Sequence, residues 1–211
     1  MKTSPLVLAA LMGLISGQQK GTQKEEYHPP MGLKTCKTEG GCKSAQKSVV
    51  MDANWRWLHN VGGYTNCYDG NKWNSQYCPD NQSCAKNCAL DGVPQQDWAN
   101  TYGVMTDGNS MSFRLVTQGA YAKNVGARTY MLDDNSNYEK FMLLDQEFTF
   151  PVDVSKMPCG VNGALYFVDM DKTGNAGGNN AAGAGYGTGY CDAQCPHDIK
   201  FIQGAANAEG W

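Results

Sequence analysis

Charge is scarce in this chain. Asp, Glu, Lys and Arg make up 18% of the 211 residues, against roughly 25% in an average globular domain. The 17 Lys and Arg are outnumbered by 20 Asp and Glu, so no basic face is available to follow a phosphate backbone, and nucleic acid is excluded as an expected partner. After the N-terminus no apolar run approaches the roughly 18 residues that span a bilayer, and the mature protein is expected to have no membrane partner. Sustained helical periodicity and internal repeats are missing as well. A Walker lysine and the G-x-G-x-x-G spacing are also absent, which removes the usual signs of phosphate binding. What the chain does have is 41% hydrophobic and 10% aromatic residues, enough to build a core and too much for a disordered polymer.

The apolar run at the N-terminus extends from Leu6 to Ile15, follows Lys2, and gives way to Ser16, Gly17 and a polar stretch. One positive charge, a short apolar segment and then small residues describe a secretory signal peptide, residues 1–17, with cleavage after Gly17. Export changes the meaning of the nine cysteines, because closely spaced cysteines outside the cytosol usually form disulfides. Six fall in the first half and three late, at Cys159, Cys191 and Cys195. The odd total leaves three alternatives: a free thiol, a partner on another chain, or partners beyond the last residue. A metal site at Cys191, Cys195 and His197 lacks an evident fourth ligand. No metal or cofactor is expected.

Period-two patterns dominate the remainder. Met111, Phe113 and Leu115 alternate with polar residues, as do Phe148, Phe150, Val152 and Val154, and both segments read as strands with one wet face. Gly163 to Met170 is apolar on both parities until Asp169 and reads as a more deeply buried strand. The expected architecture is mostly antiparallel β, in a sandwich. Seven glycines in the sixteen residues 174–189 read as a flexible surface loop. Asp169 to Gly174 begins like a calcium loop, but position twelve is Asn180 rather than Glu, so it reads as a turn. Asn81-Gln82-Ser83 is a glycosylation sequon at Asn81.

Asn54-Trp55-Arg56-Trp57 is the first constellation with chemical content. On a strand, residues two apart share a face, and two indoles on one face suit the apolar faces of pyranose rings. Pattern alone serves a core role equally well. The surrounding sequence resembles family seven of the glycoside hydrolases, the cellobiohydrolases and endoglucanases of β-1,4-glucan. The resemblance runs from His28 to Trp211 through Ser48–Trp57, Asn66–Asn71, Cys78–Asn81, Lys123–Arg128, Pro158–Phe167 and Tyr186–Pro196. It implies an all-β fold, a concanavalin-like β-jelly-roll sandwich, here truncated, with residues 18–211 forming the N-terminal part of the catalytic domain.

The resemblance also assigns roles. Trp55 and Trp57 match aromatic platforms on the side where substrate approaches. Arg128, Asn162 and Tyr166 match positions on the cleft floor, and Asp192, Gln194, Asp198 and Lys200 match positions leading to the reaction centre. By the same resemblance Cys36 pairs with Cys42, Cys67 with Cys88 and Cys78 with Cys84, leaving Cys159, Cys191 and Cys195 without partners. The family's catalytic groups lie on a Glu-x-Asp-x-x-Glu strand, in which one carboxylate attacks and another donates a proton. That spacing occurs nowhere in the 211 residues. The expectation is a secreted, extracellular cellulase fragment, inactive as it stands, whose partner is cellulose or another β-1,4-glucan and which has no obligate protein partner. The alternative is a non-catalytic glucan-binding jelly-roll module.

Overall fold

The computed structural model describes residues 18–177, 180–192, 200–202 and 205–209. The signal segment 1–17 and the positions of Gln194, Cys195, His197 and Asp198 lie outside the described residues. The chain begins with β1 (Gln19–Lys20), β2 (Pro30–Lys37), β3 (Gly41–Met51), β4 (Leu58–Asn60), β5 (Tyr68–Asp69) and β6 (Lys72–Trp73). Helix α1 (Asn81–Asn87), β7 (Cys88–Leu90) and α2 (Gln95–Asn100) follow, then β8 (Val104–Thr106), β9 (Met111–Phe113), β10 (Val116–Gln118), β11 (Lys123–Val125), β12 (Thr129–Asp134) and β13 (Asn137–Tyr138). Near the end, β14 (Phe201–Ile202) pairs with β15 (Ala205–Ala206). The structure is thus almost entirely β, with two short helices among the described residues. None of these helices is long and apolar enough to cross a membrane.

The largest sheet has the order β13-β12-β3-β2, all neighbours antiparallel. β2 and β3 form a hairpin around Gly40 and Gly41, whose φ values of 114° and 74° are ones only glycine adopts without strain. Next to the turn Cys36 faces Cys42 across the ladder and is bonded to it. β3 is polar and exposed in its first half and buried at Val49, Val50 and Met51, so burial rather than propensity fixes its register. A second sheet has the order β1-β7-β4, with the N-terminal strand β1 at one edge. The Cys67–Cys88 bridge joins its β7 to the loop before β5, the Cys78–Cys84 bridge ties α1 to the loop before it, and both share a core cluster with Leu58 and Leu90. Asp80 caps α1 by accepting the Ser83 amide at 2.7 Å, which is the ordinary role of an Asp at that position. Asn81 opens the same helix.

A buried ionic knot ties the N-terminal segment down. The Arg56 side chain is fully buried and donates to both Glu26 carboxylate oxygens, at 2.5 and 2.8 Å. It also donates to the carbonyls of Met51 and Asp91. Asp91, equally buried, accepts from the amides of Gln23 and Lys24 and lies 2.7 Å from His59 Nε2. Trp98 fills the core beside Val49 and Met51 and donates to the Tyr27 carbonyl.

Three expectations are corrected here. Neither residues 147–154 nor 163–170 form a strand, because no segment of the described residues supplies a ladder partner between residues 141 and 168. A period-two pattern describes side chains only, whereas a strand also needs a neighbour for its N–H and C=O groups. Val152, Leu165 and Phe167 are exposed there rather than buried, while Phe141, Phe148 and Phe167 contact one another edge to face. Of the expected strand at 111–115, only Met111–Phe113 forms, paired with β8. The glycine-rich stretch is packed rather than a surface loop: Asn180, Ala184 and Thr188 are buried. Asn180 holds it together, donating to the Gly174 carbonyl and Thr188 Oγ1 and accepting from the amides of Ala182 and Gly183. Its glycines permit close backbone approach. A Cβ at Gly187 would sit 2.0 Å from the Met51 carbonyl oxygen, and that proximity lets Gly187 accept the Ala53 amide.

Candidate functional site

Asp52 ends β3 and begins the site. Its side chain accepts the Asn54 amide at 2.6 Å and so caps the short 3-10 turn Ala53–Trp55. The tryptophan pair is therefore not on a strand, contrary to the sequence reading, because this cap turns the chain immediately after β3. The alternation survives in altered form: Trp55 and Trp57 are partly exposed while Arg56 between them is buried. Neither indole is fully buried, and Trp55 packs by one side against the cluster of Val49, Met51 and Trp98.

Trp55 is pinned at its edge, its Nε1 donating to the Val125 carbonyl at 3.3 Å. The Arg128 guanidinium lies 5.4 Å from the Trp55 ring centre and only 3.6 Å from that of Tyr190, a cation held between two aromatic rings. Its Nε donates to Asp52 Oδ2 at 2.9 Å and also meets the Tyr130 hydroxyl. That hydroxyl in turn donates to the same Asp52 oxygen. Burial and then the Asp52 charge push the Tyr130 phenol far above its ordinary range, so it is a fixed donor. Burial works against the Arg128 charge, yet Asp52 and Tyr130 hold its pKa above its ordinary value. Nη2 of Arg128 is buried and has no hydrogen-bond partner among the described residues. A shallow depression bounded by Asp52, Asn54, Arg128, Thr188, Tyr190 and Phe201 marks the place.

Trp57 sits in different surroundings. Its Nε1 donates to Asn66 Oδ1 at 2.7 Å, and its ring stacks on His59 at 4.1 Å and on the exposed Tyr64 at 6.1 Å. The two tryptophans are thus separately anchored, each with its indole N–H already satisfied, which leaves ring surface rather than the N–H for a ligand.

Among the residues expected near the reaction centre, Lys200 and Asp192 are described. The Lys200 amide donates to Asn54 Oδ1 at 2.9 Å, and its ammonium lies 4.8 Å from the Tyr68 ring centre. Desolvation pushes its pKa down to about 8, against a smaller raising effect of Asp52. A lysine in that state binds its proton less tightly folded than unfolded, so unfolding takes up a proton between about pH 8 and 10.5. Stability is therefore expected to rise across that window, by at most about 3 kcal/mol. Lys200→Met is expected to flatten the slope, and denaturant titrations at pH 7.5 and 10 would check it; equal slopes in both proteins would refute the assignment.

Asp192 is exposed and accepts the Tyr190 hydroxyl at 2.6 Å, which links it to the ring above Arg128. Asn162 and Tyr166 pair with each other at 3.1 Å in the exposed 141–168 segment. Among the described residues no hydrogen bond, ion pair or ring contact joins them to the Trp55 and Arg128 group. Cys159 is free and exposed. Cys191, however, is disulfide-bonded, which corrects its placement among the unpaired cysteines. The sequence argument assigned partners by resemblance alone, whereas a disulfide forms wherever a second sulfur comes within reach.

Sequence reasoning missed Asp52, Tyr130 and Tyr190. The first left a readable trace, since Asp two residues before an Asn at the end of an apolar run is a capping pattern. The other two meet Arg128 only through pairing and loop packing.

A family model described as glycosyl hydrolase family 7 matches residues 20–211. A curated protein named Exoglucanase GH7B, from Limnoria quadripunctata, is 51% identical over 213 residues, covering 100% of this chain and 46% of that protein. Among solved structures, a GH7 family cellobiohydrolase from Daphnia pulex superimposes with a TM-score of 0.85 at 48% identity, covering 90% of this chain and 44% of the other. A cellobiohydrolase from Melanocarpus albomyces complexed with cellotetraose gives 0.85 at 43% identity, over 92% and 45%. The endocellulase EGI of Humicola insolens gives 0.76 at 40%, over 91% and 48%. The chain spans a little under half the length of each of these relatives.

Proposed function

Because the chain belongs to glycosyl hydrolase family 7, with the β-jelly-roll of its structural neighbours, we propose that it is the glucan-holding part of a secreted β-1,4-glucan hydrolase of the cellobiohydrolase type. Residues 1–17 serve as its signal peptide and 18–211 as the N-terminal part of the catalytic domain. The observation that carries this reading is the partly exposed Trp55 set beside an Arg128 clamped by Asp52, with Trp57 as a second, separately anchored platform. Rings supply flat apolar faces and the guanidinium supplies donors, the combination that a glucosyl unit presents complements to. Asp192 and Lys200, with Asn162, Tyr166, Gln194 and Asp198, extend the same glucan path. A solved relative held cellotetraose and another, an endoglucanase I, held cellobiose.

The reaction of the family follows the retaining template, but the Glu-x-Asp-x-x-Glu carboxylates are not among these 211 residues. The chain by itself is accordingly proposed to bind glucan without cutting it. In the second reading, favoured by that same missing motif, binding is its whole function; transcript sequence past codon 211 separates the two. Calorimetric titration with cellohexaose tests binding. Trp55→Ala and Trp57→Ala are each expected to weaken it at least about tenfold, the worth of one stacking contact, with the melting temperature little changed. Retained binding, or loss of folding in both variants, would assign the indoles to packing instead. Release of soluble sugar from insoluble glucan by the purified chain would refute the division of labour.

A further inference from the structure

Asp52 is buried, and its one carboxylate serves three partners, one from its own turn and two from the distant start of β12. Oδ1 accepts the Asn54 amide and sets the turn that presents Trp55. Oδ2 receives Arg128 Nε from the start of β12's approach and the Tyr130 hydroxyl from β12 itself. The Asp52 amide donates to the Arg128 carbonyl at 2.9 Å, closing the same contact through the backbone. We propose that Asp52 is a positioning residue that locks Trp55 and Arg128 into one sugar-recognition unit, so that the guanidinium meets a glucosyl hydroxyl in a fixed orientation rather than as a mobile surface cation.

The physical case rests on division of the two oxygens. A carboxylate that only capped the turn would need no cationic partner, and Asn would serve as well. A carboxylate that only neutralised Arg128 could reach it from many places. Here the cap fixes where the carboxylate is, and the carboxylate fixes where the guanidinium is. Charge-assisted hydrogen bonds of this kind impose direction as well as energy. Without Asp52, Arg128 would keep its aromatic contacts, which are tolerant of rotation, and lose the bond that sets its plane. Tyr130 adds to this by occupying the remaining approach to Oδ2, so the carboxylate has no freedom to follow another partner.

The inference rests on the glucan-binding reading, and the test separates the two. In the full chain, Asp52→Asn keeps the cap and removes the charge. It is expected to leave melting within a few degrees and to weaken cellohexaose binding about tenfold. Arg128→Ala should weaken binding by a similar factor, and the double variant should be no weaker than Arg128→Ala alone, since one residue acts through the other. Independent multiplication of the two losses would overturn the proposal. A second readout needs no sugar: the 1H–15N resonance of Arg128 Nε–H, identified by its absence in Arg128→Lys, should be sharp and slowly exchanging in the wild type and lost in Asp52→Asn. Persistence of that resonance in Asp52→Asn would refute positioning whether or not glucan binds. Absence of sugar binding in the wild type, with the resonance behaving as expected, would refute the glucan reading alone. Should Asp52→Asn fail to fold, Tyr130→Phe removes one of the two donors to Oδ2 and is expected to speed that exchange at least about threefold; unchanged exchange would count against the proposal.

Discussion

Replacing Arg56 by Met is expected to lower the unfolding free energy by about 3–5 kcal/mol, the usual cost of stripping one partner from a buried ion pair. Arg56 is among the fully buried side chains, and its loss would strand Glu26, whose side chain is 13% exposed and among the described residues otherwise meets His28 and the Val93 amide. Burial alone would push the Glu26 carboxyl up, but Arg56 and His28 together hold it below its ordinary value. In His28, burial is likewise outweighed by Glu26 and by contacts with Asn135 and Gly185, and its pKa is raised. With Glu26 depressed from 4.5, its contribution is present above that pH and fades as acid carries the protein through the lower folded value. Guanidinium unfolding measures the effect. The double variant Arg56→Met with Glu26→Leu is expected to recover most of the loss, since an apolar pair needs no compensation. A single variant within about 1 kcal/mol of wild type would mean that the knot does not anchor the N-terminal segment.

The second large effect concerns the surface. Between residues 141 and 168 the chain exposes Met142 and Leu144 at 84% and 91%, with Val152, Leu165 and Tyr166 also open. Contiguous apolar exposure of this kind drives association, and no ladder in the described structure shields the backbone there. The purified chain is expected to self-associate at roughly micromolar concentrations and above and to enhance the fluorescence of an apolar dye. Substituting Met142, Leu144 and Val152 by Lys together should shift it to monomer in light scattering. Cys159, free and exposed in the same stretch, should react with a thiol reagent under native conditions, and Cys159→Ser distinguishes covalent from apolar association. A cooperatively folding monomer with no dye binding and no reactive thiol would refute this account.

Residue order alone carried the all-β character and the family. A motif run such as Ser48–Trp57 or Pro158–Phe167 is a long ordered string, and matching it requires no knowledge of contacts. It also implied the three early disulfides, each of which forms in the structure, because those pairs come with the resemblance. The strands expected at 147–154 and 163–170 failed for a reason that side-chain pattern cannot reveal. Alternation says which faces could be dry, whereas hydrogen bonding between backbones decides whether a strand exists.

Tertiary structure decided the rest by bringing together residues far apart in the chain. Asp52 meets Arg128 across 76 positions and Tyr130 across 78, through a ladder in which Thr129 faces Met51 and Tyr130 faces Val50. Glycines that read as slack turned out to be where backbones touch, and Arg56, flanked by two tryptophans, turned out to be buried because Glu26 waits inside to receive it. Composition and motif fix what chemistry a chain can offer. Which charges neutralise one another, and which rings stay open to a ligand, depends on register and packing, because electrostatic and dispersion forces act through space over a few ångströms rather than along the chain.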